Sequence, residues 1–304
     1  MIIAVFPGQG SQTPGFLAPW LELDGSRDLL AEYSEYAEID LISAGITWDA
    51  EQIRDTKVAQ PLIVAASLLS WRALGDQTAV TGVAGHSVGE IAALVAAGVL
   101  SAADGMRLVG IRGRAMAEAA ALEQTGMSAV VGGDEAAVLG RIDELGLTPA
   151  NHNGGGQIVA AGALAPLAEL AADAPRGTRV IPLQVAGAFH TSYMAPAVDT
   201  LAAAAADVAA SDPTRTLWSN RDGGVVTSGR TALDQLVAQV ANPVRWDLCM
   251  TSFADAGVTG LIEFAPAGTL TGLAKRALRG VPSVAVRTPE DLAAATALLT
   301  GESA

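Results

Sequence analysis

The run Gly85-His86-Ser87-Val88-Gly89 constrains this chain more than any other stretch. An apolar segment of strand type, Val80–Ala84, leads into it. Glu90–Val99 after it has the length and alanine content of a buried helix. A chain that turns from a strand straight into a helix has strained backbone angles at the apex, so small residues must flank it. In that setting G-x-S-x-G is an elbow that presents a serine nucleophile. The helix N-terminus beneath Ser87 favours negative charge there. Chance matches to the run are common, but the flanking strand and helix remove most of them.

Strand-like and helix-like segments alternate through most of the 304 residues, the pattern of an α/β protein with a mostly parallel sheet. Ile2–Phe6 reads as the first strand, Pro61 as the start of a helix over Leu62–Leu74, and Asp104–Ala121 as another helix. The rhythm changes near Gly126. Strands over Met127–Val131, Leu147–Asn151, Gln157–Ala161 and Arg179–Val185, with helices over Asp134–Leu145 and Leu164–Ala172, give the β-α-β-β-α-β order of a ferredoxin-like unit. Residues 123–187 are therefore expected to form a small domain inserted into a larger one built from 1–122 and 188–304. The α/β rhythm returns with helices over Met194–Ala210, Leu233–Val240 and Leu270–Leu278, and strands over Thr216–Ser219, Gly260–Phe264 and Ser283–Val286.

Composition narrows the function. Half the residues are hydrophobic and 16% are charged, which argues against long disordered stretches. Apolar runs such as Ile91–Leu100 fall short of a bilayer span, and no cleavable leader pattern opens the chain. A soluble cytoplasmic monomer is expected. The net charge of −14 disfavours nucleic acid, and any anionic partner needs a local basic patch. Cys249 is the single cysteine and reads as a buried small hydrophobe; no Cys/His cluster has metal-ligand spacing.

A serine nucleophile needs a base. Of the three histidines, His86 should diverge from Ser87 at a sharp turn and pack under the elbow, and His152 lies in a polar glycine-rich loop. His190, in "VAGAFHTSYM", follows the last strand of the insert, where the chain re-enters the larger domain and a cleft is expected. It is the favoured base. A hydrolase triad also needs an acid, yet Asp104, Asp134, Asp143 and Asp173 all fall at helix starts or on helix surfaces. Something else, such as a backbone carbonyl, must orient His190. Arg112 lies in the apolar stretch "LVGIRGRAM" and needs an anionic partner, either a structural carboxylate or the carboxylate of a substrate.

These residues sit in seven ordered motifs: "FPGQGSQ", "AGHSVGE", "RGRAM", "NHNGGGQIVAAG", "AGAFHT", "QVANPVRW" and "GTLTGLAKR". From about Met1 to about Leu298 the sequence resembles the malonyl-CoA:acyl carrier protein transacylases of type II fatty acid synthesis, and is similar to polyketide synthase acyltransferase domains. The resemblance implies an α/β-hydrolase-like large domain, with the ferredoxin-like insert. It also implies transfer of malonyl from malonyl-CoA to acyl carrier protein, with no cofactor. Ser87 matches the acylated serine, His190 its base, and Gln239 the residue whose backbone carbonyl orients that base. Arg112 matches the arginine that binds the malonyl carboxylate, and the N–H groups of Gln9 and Val88 match the oxyanion hole. Asn153, Met116 and Phe189 match positions of the substrate cleft. Phe189 precedes the histidine as in malonyl-using polyketide domains, where serine often accompanies methylmalonyl use.

Two alanines, Ala265 and Ala267, stand where many members carry glycine. Carrier protein is acidic, so Lys275, Arg276 and Arg279 on one helix, with Arg245, are candidates for docking it; a solvated helix face is the plain alternative. The opening Gly8-Gln9-Gly10 is not a nucleotide loop, because Thr13 stands at the third fingerprint position and no Walker lysine follows.

Overall fold

The computed structural model describes residues 1–301 and shows a mixed α/β fold with two sheets. The strands in chain order are β1 (Ile2–Phe6), β2 (Val80–Gly85), β3 (Thr125–Gly132) and β4 (Thr148–Gly154). Then come β5 (Gln157–Ala163), β6 (Thr178–Pro182), β7 (Thr216–Trp218) and β8 (Val225–Val226). The last are β9 (Val244–Arg245), β10 (Gly260–Glu263) and β11 (Ser283–Ala285). The larger sheet has the order β11-β10-β1-β2-β7-β8, parallel except for the β7–β8 pair. Ile3 to Phe6 of central β1 are fully buried, as an unbroken apolar run flanked by parallel neighbours should be. Because β1, β2, β7 and β10 are parallel, their C-terminal ends share one edge, the usual site edge of such sheets.

The smaller sheet has the order β6-β3-β5-β4-β9. Its first four strands are antiparallel and come from the segment where the rhythm changes. The fifth does not: β9, from beyond residue 240, pairs in parallel with β4 at Asn151 and His152. Residues 152–154, read as loop, are therefore strand, and the turn is confined to Gly155 and Gly156. Strand β6 ends at Pro182, short of the expected Val185.

Pro61 does not start its helix. The helix runs from Thr56 to Ala73, with Asp55 accepting from the Lys57 N–H as its cap. A proline inside a helix ordinarily costs about 3 kcal/mol; here nearly every neighbour of Pro61 is buried, and that packing offsets the loss. The long helix Ala102–Leu122 crosses this one closely. A Cβ on Gly113 would lie 3.1 Å from the Thr56 carbonyl oxygen. The glycine of "RGRAM" thus sets how near Arg112 comes to Gln60. Four further helices, Ser26–Ala37, Leu41–Ile46, Trp246–Asp255 and Leu292–Thr300, go beyond those read from the sequence. Among the described residues no helix is long and apolar enough to cross a membrane.

At the end of β10 the fully buried Glu263 accepts from the N–H groups of Gly268, Leu270 and Thr271, at 2.8, 2.9 and 2.8 Å. It caps helix Thr269–Ala277, which carries Lys275 and Arg276, and fixes the turn in which Ala267 takes a left-handed φ of 53°. Removing this acceptor leaves buried N–H groups unpaired. Glu263→Ala should therefore cost about 3 kcal/mol or more, read as a fall in the denaturant midpoint, with Glu263→Gln losing less.

Candidate active site

Ser87 sits at the apex between β2 and helix Gly89–Ala96 with a left-handed φ of 53°. A Cβ on Gly85 would collide with the backbone of Gly89, and one on Gly89 with the carbonyls of Phe6 and Pro7. Both elbow glycines are therefore steric requirements. The same close approach presses the Gly8–Gly10 loop after β1 against the elbow. Gln9 turns its side chain towards Arg54 and Thr56. The main-chain N–H groups of Gln9 and Val88 donate to no other described residue.

The Ser87 Oγ lies 2.7 Å from His190 Nε2, and His190 Nδ1 lies 2.8 Å from the Gln239 carbonyl oxygen. A carbonyl only accepts, so Nδ1 carries the proton and Nε2 presents its lone pair to the serine hydroxyl. The acid missing from the sequence is thus replaced by a main-chain oxygen. Burial, with Arg112 nearby, pushes His190 down to about 3, so the ring is neutral and ready to accept a proton.

Arg112 is 1% exposed. One terminal nitrogen donates to Gln60 Oε1 at 2.6 Å, the other to Gln239 Oε1 at 2.9 Å, and Nε has no partner. No carboxylate lies within ion-pair distance among the described residues, so of the two sequence readings the structural salt bridge is absent. Burial lowers its pKa to about 10, which leaves it charged at neutral pH. Gln60 also holds Met116, its Nε2 lying 3.3 Å from the sulfur. Phe189 and Met116 are both buried.

The Gln239 side chain ties the parts together. Its Nε2 donates to Glu90 Oε2 at 2.6 Å, to the Asn220 Oδ1 at 3.1 Å and to the Ser87 carbonyl at 3.2 Å. Asn220, two residues past β7, accepts from the Ser87 N–H at 2.8 Å and donates to the Gly85 carbonyl at 2.7 Å. Of this network, Gln239 was expected only for its main-chain carbonyl, and Gln60, Asn220 and Glu90 were not singled out as site residues from sequence. Glu90 alone left a signal, a charge opening an otherwise apolar helix.

The other candidates separate. His86 packs edge-on to Trp246 and donates through Nε2 to Asn153 Oδ1 at 2.9 Å, so Asn153 supports the elbow from beneath. His152 is half-buried on β4, and Cys249 is buried with its thiol pushed up by desolvation. Arg245 is committed to Asp247 through two hydrogen bonds, at 3.0 and 2.7 Å. Lys275, Arg276 and Arg279 are exposed, and Arg276 lies over Gly155 in the turn between β4 and β5. Among the described residues no cluster of three or more His, Cys, Asp or Glu side chains could hold a metal ion.

An elbow serine paired with a neutral histidine, next to a buried cation, is the machinery of an α/β enzyme that moves acyl groups. The acyl transferase domain family matches residues 3–295, and the chain belongs to it. It is 56% identical over 296 residues to the malonyl CoA-acyl carrier protein transacylase of Mycobacterium bovis, covering 96% of this chain and 98% of that protein. The crystal structure of the transacylase from Mycobacterium tuberculosis superposes with a TM-score of 0.93 at 56% identity, over 96% of this chain and 98% of that one. A malonyl-transacylase in complex with a type II polyketide synthase acyl-carrier protein superposes at 0.90, with 31% identity and 99% of each chain covered.

Because His190 stays neutral well below the usual histidine range, fluorophosphonate labelling of Ser87 should persist at about pH 5, where an ordinary histidine base is mostly protonated. Loss of labelling with a midpoint near 6.5 would contradict the buried, neutral ring.

Proposed function

We propose that this protein transfers malonyl from malonyl-CoA to the phosphopantetheine thiol of acyl carrier protein through a malonyl ester on Ser87, providing extender units for fatty acid or polyketide synthesis. The observation that carries this reading is the Gln239 side chain, which joins the Ser87 carbonyl to a buried arginine that has no carboxylate of its own. In the first half-reaction the Ser87 hydroxyl attacks the thioester carbon while His190 Nε2 takes its proton. The Gln239 carbonyl holds the imidazolium that forms. The oxyanion is received by the N–H groups of Gln9 and Val88, each worth about 3 kcal/mol in a site of this kind. Coenzyme A leaves as its thiol, taking the proton back from His190. In the second half the carrier thiol gives its proton to His190 and attacks the ester, and Ser87 recovers its hydroxyl.

Arg112 receives the free carboxylate of the acyl group, with Met116 and Phe189 shaping the cleft around it, while Asn153 acts only through His86. An acetyl group would leave this guanidinium buried and unpaired, the kind of loss that discriminates strongly. A carbonyl in place of the triad acid distinguishes the site from that of a Ser-His-Asp hydrolase. The domain assignment belongs to the same reading: a ferredoxin-like insert over 123–187, supported by the order β6-β3-β5-β4, within an α/β-hydrolase-like unit of 1–122 and 188–304.

Mass spectrometry after mixing with malonyl-CoA should find one malonyl group on Ser87, and Ser87→Ala should carry none. Arg112→Ala should lower malonyl acylation about 100-fold or more while changing acetyl acylation far less; equal losses would remove the clamp. For the carrier, exposed Lys275 and Arg276 are proposed as the docking cations, with Arg279 beside them and Arg245 held back by Asp247. Charge reversal at the first two should raise KM for carrier protein and leave that for malonyl-CoA unchanged.

A further inference from the structure

Glu90 is a carboxylate 6% exposed in the first turn of the elbow helix. Its oxygens accept from the Asn220 N–H and from Gln239 Nε2, both at 2.6 Å. Among the described residues no cation lies within ion-pair distance of it. The positive charge it faces is Arg112, reached through a single intervening group, because the Gln239 amide gives its N–H to Glu90 and its oxygen to Arg112. A buried guanidinium and a buried carboxylate thus balance each other across one amide, while Arg112 Nε remains unpaired.

We propose that Glu90 is the resident counter-charge of Arg112 and takes up a proton from solvent when a carboxylated acyl group reaches the guanidinium. The inference rests on the acyl-transfer reading above. Without proton uptake, entry of a second carboxylate would leave two buried anions around one cation, which is strongly disfavoured. With it, one buried pair is exchanged for another: Arg112 pairs with the acyl carboxylate, and Glu90 becomes a neutral acid. The proton returns to solvent when the acyl group departs to the carrier thiol. An acetyl group brings no charge and calls for no proton. Glu90 would therefore be a specificity-determining residue that never touches the acyl chain.

The surroundings suit this exchange. Burial pushes Glu90 up to about 7, against the pull of Asn220 and Arg112, so the group is poised to titrate near neutrality. The other titratable groups near it are held in one state: His190, beyond Gln239, is neutral, and the Cys249 thiol is raised by burial. Helix Thr56–Ala73 contributes Gln60, helix Gly229–Gln239 contributes Gln235 and Gln239, and the β7 end contributes Ser219 and Asn220, all neutral. A void of about 10 Å³ beside Glu90 is lined by Ser219 and Gln235, and is about large enough for one water. Gln235, whose buried Oε1 has no partner, also lines an open cleft of about 450 Å³. That gives the proton a short route from solvent.

The test compares acylation of Ser87 by malonyl-CoA and acetyl-CoA in single-turnover experiments between about pH 6 and 9. Taking the ratio cancels effects on Ser87 and His190 that both substrates share. Proton uptake favours the carboxylated substrate at low pH, so the malonyl-to-acetyl ratio should fall at least roughly fivefold from about pH 6.5 to 8.5. In Glu90→Gln the ratio should be flat. A flat ratio in the native protein, or an unchanged slope in Glu90→Gln, overturns the inference; should that variant fail to fold, the native profile decides alone. Absence of any malonyl-Ser87 adduct at every pH would instead overturn the acyl-transfer reading.

Discussion

The site depends on one residue meeting two demands at once. Gln239 offers its main-chain carbonyl to His190 and its side-chain amide to Arg112, Glu90, Asn220 and the Ser87 carbonyl. Because Arg112 only donates and an ionised Glu90 only accepts, the amide has one satisfied orientation. That orientation couples the Ser87–His190 pair to the buried Arg112 guanidinium. Moving the C-terminal end of helix Gly229–Gln239 would disturb both together.

The second constraint is steric. Ser87 and His190 both adopt left-handed backbone angles, with φ of 53° and 62°, which ordinary residues avoid. Such conformations persist only where the surroundings over-determine them. At Ser87 they do: Gly85 and Gly89 allow backbone to pack on backbone, and Asn220 pins the serine N–H and the Gly85 carbonyl from the neighbouring strand end. The N–H groups of Gln9 and Val88, on the loop and helix that meet at the elbow, donate to no other described residue.

Charge is arranged on two scales. The chain as a whole is acidic, with a net charge of −14, yet at the site an unpaired guanidinium is buried among amides. The exposed cations Lys275, Arg276 and Arg279 lie at the C-terminal end of the helix whose N-terminus Glu263 caps.

Ser87, His190 and Arg112 were legible in the sequence because each stands in a context that makes a bland role costly. A serine between two glycines at a strand–helix junction, a histidine where the chain re-enters a domain, and an arginine in an apolar helix all stand out. The alternation of segments likewise determined the α/β class and the change of rhythm near Gly126. Only the tertiary structure decided what surrounds them. Gln60 and Gln239 reach Arg112 from 52 and 127 residues away, and an amide in a helix leaves no local trace of a distant partner. Strand β9 joins the smaller sheet from beyond residue 240, Pro61 is carried inside a helix by packing that its own neighbours do not reveal, and Arg245 is committed to Asp247. Local sequence sets what the backbone can do within a few residues; which groups meet in the core is set by how helices and sheets close on one another.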